Sequence, residues 1–119
     1  MAGDLPDPTI EDVDNWLAQN QWAEAWSMYR ILKSKDSRSW TRWGSFSNPD
    51  KEMLDSLKME NYPTYENELI TQWKLAVSIH EIERRAKACG IMIMGDLPLY
   101  VAHDSADVWS NRGLFLSLI

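Results

Sequence analysis

A chain of 119 residues, 45% hydrophobic and 25% charged, has the makeup of at most one small folded domain and not of a disordered tail. Its net charge of -6 leaves no basic patch to displace counterions from a phosphate backbone, so nucleic acid is not an expected partner. No apolar run is long enough to cross a membrane, the acidic N-terminus does not resemble a secretion signal, and the single cysteine, Cys89, suits a reducing compartment. A cytoplasmic protein without membrane contact is the expectation.

Residues 1–8, with Pro6 and Pro8, read as a flexible lead-in. Thr9 followed by Asp12 has the spacing of a capping box, which predicts a short helix to about Ala18. Asn20 is placed to cap a second helix carrying Trp22, Trp26, Tyr29 and Leu32. Breakers then punctuate a loop with Trp40, Trp43 and Gly44, and a short helix is predicted over roughly Pro49–Met59, with Met53, Leu54 and Leu57 inward. From Tyr65 to Ala88 there is neither proline nor glycine, and Leu69, Trp73, Ala76, Val77, His80, Ile82 (or Glu83) and Ala86 recur near a helical period. Arg84, Arg85 and Lys87 suit the end of this long helix, and Gly90 stands where a left-handed cap is wanted.

Ile91-Met-Ile-Met94 reads as a short strand, apolar on both faces as in a buried parallel sheet, ended by Gly95, Asp96 and Pro98. Ser105 to Trp109 predicts one helical turn capped by Asp104 or Ser105. Helix, glycine and strand together predict an α/β fold, the helix-to-strand half of a βαβ unit. Asp96, just past the strand's C-terminal end, would then stand where barrel folds carry active-site residues. Seven tryptophans are many for this length. Flat aromatic faces suit sugar rings, but Trp16, Trp22, Trp26 and Trp73 sit at helical spacing, where core packing is the simpler explanation.

The segment from Gly90 to Trp109, GIMIMGDLPLYVAHDSADVW, resembles the 4-α-glucanotransferase (amylomaltase or disproportionating enzyme) family at nearly every position. Trp22-Ala-Glu-Ala-Trp26-Ser-Met-Tyr29-Arg-Ile-Leu-Lys33 and Ser39-Trp-Thr-Arg-Trp43 are similar to further stretches of that family, in the same order. The resemblance implies a mostly helical fragment of a (β/α)8 TIM-type barrel, with one short buried strand near residues 91–95. Such a barrel takes about 250 residues, so a partial catalytic-barrel domain over residues 1–119 is expected. Within it, residues 9–60 form a helical subdomain with loops, 64–89 the long helix, and 90–109 the strand and active-site loop.

The resemblance further implies transfer of α-1,4-glucan segments between maltodextrins or starch-derived glucans by a retaining double displacement. That chemistry needs two carboxyl groups about 5 Å apart across the sugar. No pair in this sequence is identified as those groups, and by the resemblance they would lie beyond Ile119. The expectation is therefore a chain inactive by itself, without catalytic residues of its own. The residues expected to contact substrate are Asp96, Tyr100, His103, Asp104, Ser105 and Trp109, with Trp109 as a stacking platform. Asp96 suits a supporting role, holding the loop and neighbouring site residues, better than direct sugar contact, and Asp104 and Ser105 equally suit helix capping. His80 reads as a packed side chain, and His103, Asp104 and Asp107 are too few and too clustered to predict a metal site. No cofactor or metal is expected. The alternative is a non-catalytic helical carbohydrate-binding or interaction module, or a chain that self-associates through its apolar C-terminal end.

Overall fold

The computed structural model describes residues 5–96 and 100–115. Pro98, the first residues of the lead-in and the end of the apolar C-terminal stretch lie outside the described residues. The described residues form five α-helices, with short 3-10 turns between the second and third and after the last. Among the described residues, no helix is long and apolar enough to cross a membrane.

The first helix, α1 (Ile10–Gln19), begins with the anticipated capping box. Thr9 Oγ1 accepts from Asp12 N–H at 3.1 Å, and Asp12 Oδ2 accepts from Thr9 N–H at 3.0 Å. Helix α2 (Trp22–Lys35) follows one turn later, but Asn20 does not cap it. The Asn20 side chain instead donates back to Trp16 O and accepts from Trp22 Nε1, bridging α1 to α2. Helix α3 (Lys51–Glu60) is capped by Asp50, and α4 (Tyr62–Ala88) starts with Pro63 in its first turn, where no N–H is needed. The last helix, α5 (Ala106–Ser110), is a single turn capped by Ser105.

The core lies around the middle of α2. Ala23, Ser27, Met28, Ile31 and Leu32 are buried there, against Tyr65 and Leu69 of α4, Leu57 of α3, and Val108 and Trp109 of α5. Ala23 and Ser27, four residues apart on one face, are small enough for neighbouring elements to approach closely. Two tryptophans expected in a loop supply much of this core. Trp40 and Trp43, on the 3-10 turn Trp40–Arg42 and just after it, are both buried. Trp43 Nε1 is fixed by the carbonyls of Asp36 and Arg38, each at 3.1 Å. The tryptophans at helical spacing are less buried than these: Trp16 packs at the edge of the core, and Trp22 keeps 53% of its surface exposed.

The expected α/β fold is corrected. Among the described residues the secondary structure is helical throughout, and the buried strand near 91–95 is absent. Residues 91–96 run without regular structure, with Met92 and Met94 each 94% exposed. The apolar pattern suited a strand, but a strand exists only when a neighbour pairs its N–H and C=O groups. No strand among the described residues offers that pairing. For the same reason the apolar stripe of α4 is used only at its first half. Ile82 and His80, both expected on the packed stripe, lie exposed, as do Leu75 and Ile79.

The end of α4 follows from glycine. Gly90 adopts a φ of 72°, Gly90 N–H donates to Lys87 O at 3.1 Å, and Ile91 N–H donates to Ala86 O at 2.8 Å, the two bonds of a Schellman motif. A side chain at that φ is strained although space is open around it. Gly90→Ala is expected to destabilise the chain by about 1 kcal/mol, read as a lower urea midpoint at unchanged slope.

Candidate functional site

Two side chains of α2, one turn apart, and one loop after α4 build a polar latch. Tyr29 and Lys33 stand at i and i+4, so they project from one face toward the segment that precedes α5. There Asp104 receives them both. Tyr29 Oη donates to Asp104 Oδ1 at 3.0 Å, and Lys33 Nζ pairs with Asp104 Oδ2. The backbone N–H of Trp40 also donates to Asp104 Oδ1, at 3.1 Å. Lys33 is further held by the carbonyls of Ser37 and Arg38. The Asp104 carboxylate thus joins α2, the 3-10 turn and the 100–105 segment at one point.

Aromatic contacts reinforce the latch. Trp40 Nε1 donates to His103 O at 2.7 Å, and the His103 ring stacks on Trp40 with centroids 5.4 Å apart. Beneath, Tyr29, Trp43 and Trp109 pack as a triangle with centroids 5.5 to 6.1 Å apart. Trp109 is 2% exposed, and its Nε1 donates to Phe46 O at 2.9 Å. Its ring faces are covered by the core, so in this arrangement it anchors the loop from below.

The sequence-predicted residues therefore divide by position. Asp96 and Tyr100 are exposed, Tyr100 to 91%, and His103 is exposed with one ring face on Trp40. Asp104 and Ser105 are half-buried: Asp104 in the latch, Ser105 accepting from Val108 N–H at the start of α5. Of the two candidate caps, Ser105 is the one used. Among the described residues, no three His, Cys, Asp or Glu side chains gather closely enough to hold a metal ion. Tyr29, Lys33 and Trp40 were not picked out as site residues from sequence; the i, i+4 spacing of a tyrosine and a lysine was the available signal.

The latch shifts the ionisation of its members. Burial pushes the Asp104 carboxyl up, but hydrogen bonds from Lys33, Trp40 and Tyr29 outweigh it and hold the group below the ordinary carboxylate range. Burial first, and then the Asp104 carboxylate, push the Tyr29 phenol up to about 12. The signs follow. A depressed carboxyl stabilises the fold above its unfolded pKa, and this is lost as pH falls through the lower folded value. A raised phenol stabilises below its ordinary pKa near 10, and this is lost as pH rises toward 12. Urea midpoints measured across pH should fall below about pH 4 and again above about pH 10, and Asp104→Asn should flatten the acid limb.

The sequence profile of the 4-alpha-glucanotransferases matches residues 5–117, nearly the whole chain. The chain belongs to the 4-alpha-glucanotransferase family. It is 28% identical over 108 residues to the 4-alpha-glucanotransferase of Aquifex aeolicus, covering 89% of this chain and 22% of that enzyme. It is 33% identical over 97 residues to the chloroplastic/amyloplastic 4-alpha-glucanotransferase of Oryza sativa, covering 80% of this chain and 16% of the relative. The corresponding enzyme of Solanum tuberosum is 47% identical over 45 residues, 38% of this chain and 7% of that protein. The chain thus spans about a fifth of the length of the curated relatives it matches. No solved structure matches it.

Proposed function

We propose that this chain forms one wall of the glucan site of a 4-alpha-glucanotransferase and does not carry out transfer by itself. In that reading Asp96, Tyr100 and His103 meet the sugar, while Asp104, Ser105 and Trp109 act beneath them by fixing the loop. The full reaction would be retaining exchange of α-1,4-glucan segments between maltodextrins, with its two close carboxyl groups supplied outside this chain. Asp96 would contribute by accepting hydroxyl hydrogen bonds or by orienting a neighbour, since an attacking carboxylate needs a partner acid across the ring. The observation that carries the reading is the match over residues 5–117, joined to a loop whose exposed polar groups stand above a fully bonded anchor. A reducing, cytoplasmic setting is part of the proposal and rests on the lone cysteine.

The test is a maltoheptaose titration of 15N-labelled chain. Saturable shifts at Asp96, Tyr100 and His103, weakened by Tyr100→Ala, support the glucan wall; no shift there at high ligand concentration would sink it.

A second reading has one observation in its favour. The described helices close a single hydrophobic core without any strand, as an independent helical carbohydrate-binding or interaction module would. A monodisperse monomer favours this module, whereas self-association favours a wall that needs the remainder of an enzyme.

A further inference from the structure

Beside the latch, a groove of about 580 Å³ runs between the first turns of α2 and α5. Among the described residues of the loop before α5, it is lined by Ser105. Its aromatic side is Trp22 and Trp26. Trp22 is held by Trp16, which meets its ring edge-on at 5.9 Å, and by the bond from its Nε1 to Asn20 Oδ1 at 3.3 Å. Half of this ring remains exposed although the side chain is fixed in place. Trp26 lines the same groove and carries a buried Nε1–H that has no acceptor among the described residues. The opposite side is α5, with Asp107 and Asn111. Among the described residues, the Asp107 carboxylate and the Asn111 Oδ1 accept no hydrogen bond, and both residues are exposed.

A preset indole face opposed by unpaired hydrogen-bond acceptors fits a ligand with an apolar face and hydroxyl edges. A pyranose ring has that form: its axial C–H groups pack on an aromatic plane and its hydroxyls donate to carboxylate and amide oxygens. The Asp107 charge disfavours an anion and favours a neutral ligand that brings hydroxyl donors. We propose that the α2–α5 groove is a second glucan-binding surface, with a pyranose on Trp22 and its hydroxyls on Asp107 and Asn111. The identity of the sugar as an α-1,4-glucan rests on the proposed function; the groove's chemistry does not.

Maltoheptaose titrated into uniformly 15N-labelled chain tests this through the tryptophan indole signals. The indole signals of Trp22 and Trp26 and the amides of Asp107 and Asn111 should shift saturably. Trp22→Ala should weaken that set by roughly tenfold, and Trp22→Tyr should restore part of it. Asp107→Asn, which removes a charge without removing a described contact, should weaken it severalfold while leaving the thermal melt in place. Shifts confined to Asp96, Tyr100 and His103 would overturn the groove and leave the glucan wall standing. Shifts confined to the groove would do the reverse. Silence at both, or groove shifts unaltered by Trp22→Ala in a folded variant, would also overturn the groove.

Discussion

Trp109→Ala is expected to remove about 3–5 kcal/mol of stability, enough to abolish a cooperative melt in a domain of this size. The indole is among the most deeply covered large side chains of the core and touches both Tyr29 and Trp43. Its loss leaves a cavity that three separate elements line, and rigid aromatic neighbours cannot collapse into it. The bond to Phe46 O disappears as well, leaving that carbonyl without its indole donor. Trp109→Phe keeps most of the volume but not the N–H, and should be intermediate. Trp22→Ala is the control: with half its surface already in water, it should shift the melt far less. If Trp109→Ala melted like Trp22→Ala, the anchoring role of Trp109 would be wrong.

Asp104→Ala is the second large effect, expected at about 2–3 kcal/mol by urea denaturation. The carboxylate accepts from a phenol, an ammonium and a backbone amide; alanine leaves the Trp40 N–H without its acceptor and Lys33 without its counter-charge, while Tyr29 keeps the Asp104 carbonyl and Lys33 those of Ser37 and Arg38. Its partial exposure lets water reach Lys33, which sets the estimate below that of a fully buried pair. Asp104→Asn should cost about half as much, because it keeps an oxygen for Trp40 while losing the charge that Lys33 faces. A double-mutant cycle with Lys33→Met separates the ionic part from the rest: a coupling near zero would mean that the short contact holds nothing together.

These two residues also show what could be read from sequence. The capping box at Thr9, the long α4 and the left-handed Gly90 were legible because each is decided by residues within a few positions. Trp40, Trp43 and Trp109 were not, since breakers around the first two and a one-turn helix around the third conceal burial that only distant packing creates. Asp104 was legible as a residue of interest but not as a latch, because its partners lie 64 to 75 positions away. The strand at 91–95 failed for the opposite reason. Its local pattern suited a strand, yet strand formation is a property of pairs, and no partner is present among the described residues.

The proposed function makes one central claim: this chain holds an α-1,4-glucan and does not by itself exchange its segments. Incubation of the purified chain with maltotriose, with products separated by chain length, tests that claim most directly. The expected result is unchanged maltotriose, with neither glucose nor longer maltodextrins formed. Release of glucose together with maltopentaose, lost on Asp96→Asn, would contradict it by showing that transfer chemistry resides within these 119 residues.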